Sequence, residues 1–212
     1  STKVYSRNDG KNGSVKIAHC PNHRGAKGTE FLIEAVKSLI VEGYNIELIL
    51  FENVRNSIIL ERLHSDIDIL VEQLILGYGL NAIEGMSSGV VTLSNLSIEQ
   101  YTVLFRRYGS LNECPIVSVT PETIKDQLEK LIINPDLRLI LGKAGKDFAA
   151  KYHSPEFARF LFSEVYRNIW FKESVDLRSM FHPLNKNSYN NSKPLIKHPL
   201  KNNLIVNEEN IN

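Results

Sequence analysis

Short apolar runs alternate with amphipathic stretches along most of this chain. Val15 to His19, Ile46 to Phe51, Ile67 to Val71, Val90 to Leu93 and Pro115 to Val119 are runs of strand length. Between the first two, Phe31, Leu32, Ala35, Val36, Leu39 and Ile40 recur at the spacing of one helix face, with Glu34, Lys37 and Glu42 opposite. A short helix is predicted over Ser57 to Leu63, and another where Leu80, Ala82, Ile83 and Met86 recur. Continuous apolar runs such as Ile46 to Phe51 suit parallel strands buried on both faces. The repeated alternation predicts an α/β fold with a doubly wound parallel sheet, Rossmann-like, whose ligand loops lie at the carboxyl ends of the strands.

The second half continues less evenly. Ser97 to Asn112 is helix-like but irregular, and Thr120-Pro121-Glu122 has the cap and proline of a helix start. Asn134-Pro135 breaks that helix, and two amphipathic helices follow, Asp136 to Lys151 and Pro155 to Trp170. The reading is therefore a polar linker over residues 1–13, a Rossmann-like domain over 14–171 that closes on helices, and an Asn/Lys-rich tail over 172–212. Apolar residues lose periodicity in that tail, so it is expected to be disordered or to lie against something outside this chain.

Composition narrows the partners. The formal net charge is +1 and the basic residues are scattered, so no stripe for nucleic acid is present. Arg106-Arg107 beside Tyr108 reads as a helix end. Cys20 and Cys114 lie far apart without metal-type spacing and are expected to be reduced and buried. The first thirteen residues have no apolar core of a signal peptide and no stretch has the length of a membrane span, which leads to an expected cytoplasmic location.

Two loops carry candidate chemistry. Gly77 and Gly79 bracket Tyr78 between a strand and a helix, where glycines allow close backbone approach and a helix start offers unpaired N–H groups to a phosphate. Glu84, one turn further, could accept from sugar hydroxyls. The plainer alternative is a tight turn with a solvated glutamate, since G-x-G without a third glycine says little. Arg24 and Lys27 precede Gly28 at a helix start and could clamp a diphosphate, or could be solvated loop residues. His19, Cys20 and His23 lack a distant fourth partner for a metal, and Asp66-Ile67-Asp68 reads as acids at a strand edge. Glu72 stands four residues before Leu76, roughly 13 Å along an extended strand, too far to act there unless the loop folds back.

The run D-I-x-x-x-Q-L-x-x-G-Y-G-x-x-A-I-E-G-M-x-x-G-V-V, from Asp68 to Val91, resembles the nucleotide-sugar segment of retaining GT-B glycosyltransferases of family 4 (glycosyl transferases group 1). K-G-x-x-x-L-I-x-A, from Lys27 to Ala35, matches the family's usual opening. The likeness spans about residues 14–170 and implies the donor-binding half of a GT-B fold. On it, Lys27 carries over as a phosphate ligand and catalytic group, and Glu84 as the second of the family's paired glutamates. Arg24, Gly77, Tyr78 and Gly79 join them around the donor. Arg24 stands three residues before Lys27 where the family commonly has five, with His19 and Asn22 in the usual loop's place. Leu76 occupies the first glutamate's position and cannot accept a hydrogen bond from the sugar there.

The resemblance implies a substrate, a nucleotide-diphosphate sugar, with no cofactor and no metal. The sugar would pass with retention to a saccharide or lipid-linked acceptor, as in polysaccharide or lipopolysaccharide biosynthesis. The implied partner is an N-terminal acceptor-binding domain or subunit, through which a membrane surface could be met. A non-catalytic nucleotide-sugar-binding module and an interaction scaffold on the same fold are the alternatives.

Overall fold

The computed structural model describes residues 3–100, 102, 111–177, 180 and 193–206. Five parallel strands form one sheet in the order β2-β1-β3-β4-β5. They are β1 (Val15–His19), β2 (Ile46–Leu50), β3 (Ile69–Gln73), β4 (Val91–Ser94) and β5 (Val117–Ser118). Helix α1 (Arg24–Lys27) and helix α2 (Thr29–Val41) join β1 to β2, α3 (Asn56–Ser65) joins β2 to β3, and α4 (Leu80–Ser87) joins β3 to β4. After β5 come α5 (Ile124–Ile132), α6 (Pro135–Tyr152) and α7 (Pro155–Trp170). The chain leaves β1 toward one edge and β3 toward the other, so the order reverses between them. In doubly wound sheets that crevice is where ligands sit.

Strand alternation divides the core. Val15, Ile17, Ile69, Val71, Val91, Leu93 and Val117 pack with Leu32, Ala35, Val36 and Leu39 of α2 and with Ile124, Leu128, Leu131 and Ile132 of α5. On the other face Ala18 and Leu70 pack with Ile59, Leu63 and Phe51. A third cluster joins α4 to α6 through Ala82, Met86, Ala144 and Phe148. The buried stripe of α2 is the i, i+3, i+4, i+7 set from Leu32; Phe31 and Ile40, expected on it, sit at its edges and are exposed. α4 lies unusually close to the sheet at Gly85, where an added Cβ would come within 2.4 Å of Leu70.

Several boundaries and burials differ from the expectation. β2 is an edge strand and is only half-buried, not covered on both faces. β3 begins at Ile69, because the Ile67 N–H still bonds Arg62 O at the end of α3. Thr120 to Thr123 form a turn in which the Thr123 hydroxyl accepts from the Thr120 N–H, and α5 starts at Ile124.

Both ends pack on the domain where described. Lys3 is buried and donates to the carbonyls of Leu63 and Ile67, and Arg138 holds the carbonyls of Ser6 and Asn8, so residues 3–13 are no free linker. Residues 193–206 correct the expectation of a disordered tail. The Asn203 amide donates to the carbonyls of Cys114 and Ile116 at 2.7 and 3.0 Å, and its own carbonyl accepts from Ser118 N–H. Glu113, buried, gathers Lys151 Nζ, the Tyr152 hydroxyl and the Ile196 N–H. These bonds use single asparagine, lysine and glutamate side chains, which leave no periodic trace. Arg106, Arg107, most of Ser97 to Asn112 and the rest of the tail lie outside the described residues. No helix among the described residues is long and apolar enough to cross a membrane.

Candidate functional site

The loops after β1 and β3 meet at the crevice where the strand order reverses, and several bonds fix them there. His19, at the end of β1, is fully buried; its Nδ1 lies 2.7 Å from Val71 O and its Nε2 2.9 Å from Thr29 Oγ1. A carbonyl only accepts, so Nδ1 carries the proton and the Thr29 hydroxyl donates to Nε2. Burial pushes the imidazole below its ordinary value, and the charges of Lys27 and Arg24 push it the same way. His19 is therefore a neutral pin between β1, β3 and the start of α2, and its ring nitrogens have nothing left for a ligand.

The next bonds orient Lys27. The His23 ring accepts from Ala26 N–H and so caps α1, while Leu74 N–H donates to Lys27 O at 3.0 Å. Gly28 ends α1 in the left-handed region at φ 74°, and an added Cβ there would lie 2.9 Å from Leu74 Cβ. A glycine answers both demands at once.

Glu72 completes the arrangement. It lies on the same side of β3 as Leu70, toward α4, in a strand that is otherwise apolar up to its end. Its side chain is 0% exposed and pairs with Lys27 Nζ, itself 14% exposed. It also accepts from Gly79 N–H at 3.3 Å and from Ser94 Oγ at 3.1 Å. The Gly77 carbonyl accepts from Gln73 Nε2 and shares the single Ser94 hydroxyl proton with Glu72. So the loop does fold back, far enough for the Gly79 N–H, seven residues on, to reach Glu72. Three donors from three elements converge on one buried carboxylate, which is how a buried charge becomes tolerable.

The other candidates are distributed around this centre. Gly77 and Gly79 bring the loop backbone to Glu72. The Tyr78 side chain turns away, against the cluster of α4 and α6, with its hydroxyl 3.2 Å from His153 Nε2. Arg24 lies at the mouth of a cavity of about 430 Å³ over the ends of β1 and β2, lined in part by Asn22, Phe51, Glu52, Asn56 and Asn81. Glu84, on α4, accepts from Asn56 Nδ2 at 2.9 Å, and its Oε2 is buried with no hydrogen-bond partner among the described residues. Lys27 does not line this cavity. Leu76 is 46% exposed.

Among the described residues no group of three or more His, Cys, Asp or Glu side chains is placed to hold a metal ion. Asp66 pairs with Arg62 and Lys16, and Asp68 accepts from Lys16 N–H, at the end of the sheet away from the crevice. Cys20 and Cys114 are buried free thiols, and burial pushes both up to about 12, so they are inert.

Glu72, Ser94, Glu52 and Asn56 are the residues the linear reading did not assign to the site. Glu72 alone left a signal, since a carboxylate inside a buried parallel strand must find a cation or several donors.

No family model and no curated protein matches this chain. Among solved structures it is similar to the C-terminal domain of a glycosyl transferase group 1 family protein, LpcC, from Francisella tularensis. The identity is 15%, the match covers 73% of this chain and 96% of that one, and the TM-score is 0.49. A likeness of this size assigns no family.

Proposed function

We propose that this chain is the donor-binding domain of a glycosyltransferase, taking a nucleotide-diphosphate sugar in the crevice between the loops after β1 and β3. The observation that carries the reading is the convergence of the two motifs that resemble family 4 transferases. The Lys27-Gly28 turn and the Gly77 to Gly79 turn, far apart in sequence, share one buried carboxylate at the point where the strand order reverses. A fold can make a reversal without a lysine there. A lysine and a glycine turn held together suit a diphosphate.

The parts divide the ligand between them. The Lys27 ammonium has three donors and gives one to Glu72, which leaves two for phosphate oxygens. In transfer with retention, those donors would stabilise the charge growing on the departing diphosphate. Glu84, with one carboxylate oxygen lacking a donor among the described residues, suits the ribose or sugar hydroxyls. The cavity beside it, with Phe51 as an apolar wall and asparagine amides on its rim, suits the base. The acceptor would be presented by a second domain or subunit. Localisation in the cytoplasm and a role in polysaccharide or lipopolysaccharide assembly belong to the same proposal.

Leu76, where the resemblance has a glutamate, favours a second reading, a module that binds the donor without transferring it. Calorimetric titration with UDP, GDP and ADP tests both readings. Saturable binding of one nucleotide, weakened at least about tenfold in Lys27→Ala and in Glu84→Ala, is expected. A folded protein that binds none of the three sinks the proposal. Transfer on adding an acceptor-binding domain separates the enzyme from the module.

A further inference from the structure

Both cations at the candidate site are already occupied, and they are occupied differently. Glu72 holds Lys27 from a position with no exposed surface and has two further donors, so it stays where it is. Arg24 is held on two edges. Its Nε and Nη2 meet Glu30 Oε1 at 2.8 Å each, and its Nη1 meets both oxygens of Glu52 at 3.1 and 3.2 Å. The Glu30 and Glu52 side chains are 65% and 40% exposed. Neither carboxylate has another donor among the described residues, so each can swing into water without leaving a buried group unpaired.

A guanidinium edge that takes a carboxylate also takes a phosphate, because both present oxygens at the same spacing. Arg24 and Glu52 both line the cavity mouth. We propose that Glu52 and Glu30 are stand-ins for the ligand's phosphate. They hold Arg24 in place while the site is empty and are exchanged for an oxyanion when a nucleoside diphosphate enters, which makes them determinants of affinity and charge selectivity. The inference rests on the nucleotide-binding reading above.

The exchange gives an unusual sign. Removing a carboxylate from a site ordinarily leaves its structure or its ligand worse held, whereas removing a stand-in improves binding. Each exposed pair is worth up to about fivefold in an equilibrium constant, so Glu30→Gln with Glu52→Gln is expected to tighten diphosphate binding about tenfold. A nucleoside without phosphates does not need Arg24 and gains less than the diphosphate.

The experiment is calorimetric titration of the wild type, the double variant, and the double variant carrying Arg24→Ala, with UDP, GDP, ADP and the corresponding nucleosides. Expected are tighter binding of one diphosphate by the double variant, a smaller change for its nucleoside, and loss of the diphosphate gain when Arg24 is removed. If the wild type binds a diphosphate and the double variant binds it equally or more weakly, the exchange is wrong and the nucleotide reading stands. A gain that survives Arg24→Ala means long-range charge alone and also overturns the exchange. No binding by any of the three proteins overturns both.

Discussion

Lys27 and Arg24 stand on one helix of four residues, yet they meet their carboxylates in opposite surroundings. The Lys27 pair lies under the two loops of the crevice, tied by backbone and hydroxyl donors to β3, β4 and the glycine turn. The Arg24 pairs lie in water at the cavity mouth, with side chains 40% exposed or more. Water makes the difference between architecture and adjustable contact. A buried pair that loses one partner strands a charge, while an exposed pair that loses one partner is resolvated.

Breaking the buried pair should therefore have the largest effect. Glu72→Ala leaves the Lys27 ammonium and the Gly79 N–H without their shared acceptor, while the Ser94 hydroxyl keeps the Gly77 carbonyl. A loss of about 3 kcal/mol in urea denaturation is expected, together with faster amide exchange through Gly77 to Gly79. An unchanged midpoint would mean that the pair is not what holds the two loops together.

A smaller effect is expected when the pair is kept and its mounting is strained. Gly28→Ala puts a Cβ into the left-handed region and 2.9 Å from Leu74 Cβ. A cost of about 1–2 kcal/mol is expected, and the nucleotide affinity should fall further than in a variant destabilised equally elsewhere. Equal affinity in the two variants would separate the turn from the site.

How much of this was legible in the sequence follows from the same contrast. The strands and the two helices at the C-terminal side came from periodicity, which burial imposes on every turn or alternate residue: Val15–His19 and Pro155–Trp170 stand where the pattern places them. The turns with Lys27 and Gly79 were legible as short motifs. The contact of Glu72 was not, because contour length along β3 says nothing of a loop that returns to its own strand through Gly79 N–H. The segments 3–13 and 193–206 escaped for a related reason. They are held by Lys3, Arg138, Glu113 and Asn203 donating to or accepting from backbone groups, which needs one side chain and no pattern.

The pin beneath the buried pair can be read by pH. Burial lowers His19 from its ordinary 6.5, with Lys27 and Arg24 adding to the shift and the Val71 hydrogen bond and Glu52 opposing it. The unfolded chain then binds a proton that the folded one refuses. The stability contributed by neutral His19 is full above about pH 6.5 and is lost as pH falls below that value toward the lowered one. His153, lowered by burial as well, contributes in the same direction. Denaturation midpoints should fall on acidification through this window, and the fall should be shallower in His19→Gln and in His153→Gln. An equal slope in both variants would move the acid sensitivity to the carboxylates.

The smallest stability effect belongs to the mouth, and its smallness is the point of the comparison. Arg24→Ala removes both exposed pairs, but its partners Glu30 and Glu52 return to water and no buried group is stranded. The denaturation midpoint should match the wild type within error, while diphosphate affinity falls. The two readings have to part company for the contrast to hold: Glu72→Ala should lower both stability and binding, Arg24→Ala binding alone. An Arg24→Ala protein as unstable as Glu72→Ala would make Arg24 a second structural anchor, and the stand-in role of Glu52 and Glu30 would go with it, since an anchor is not exchanged.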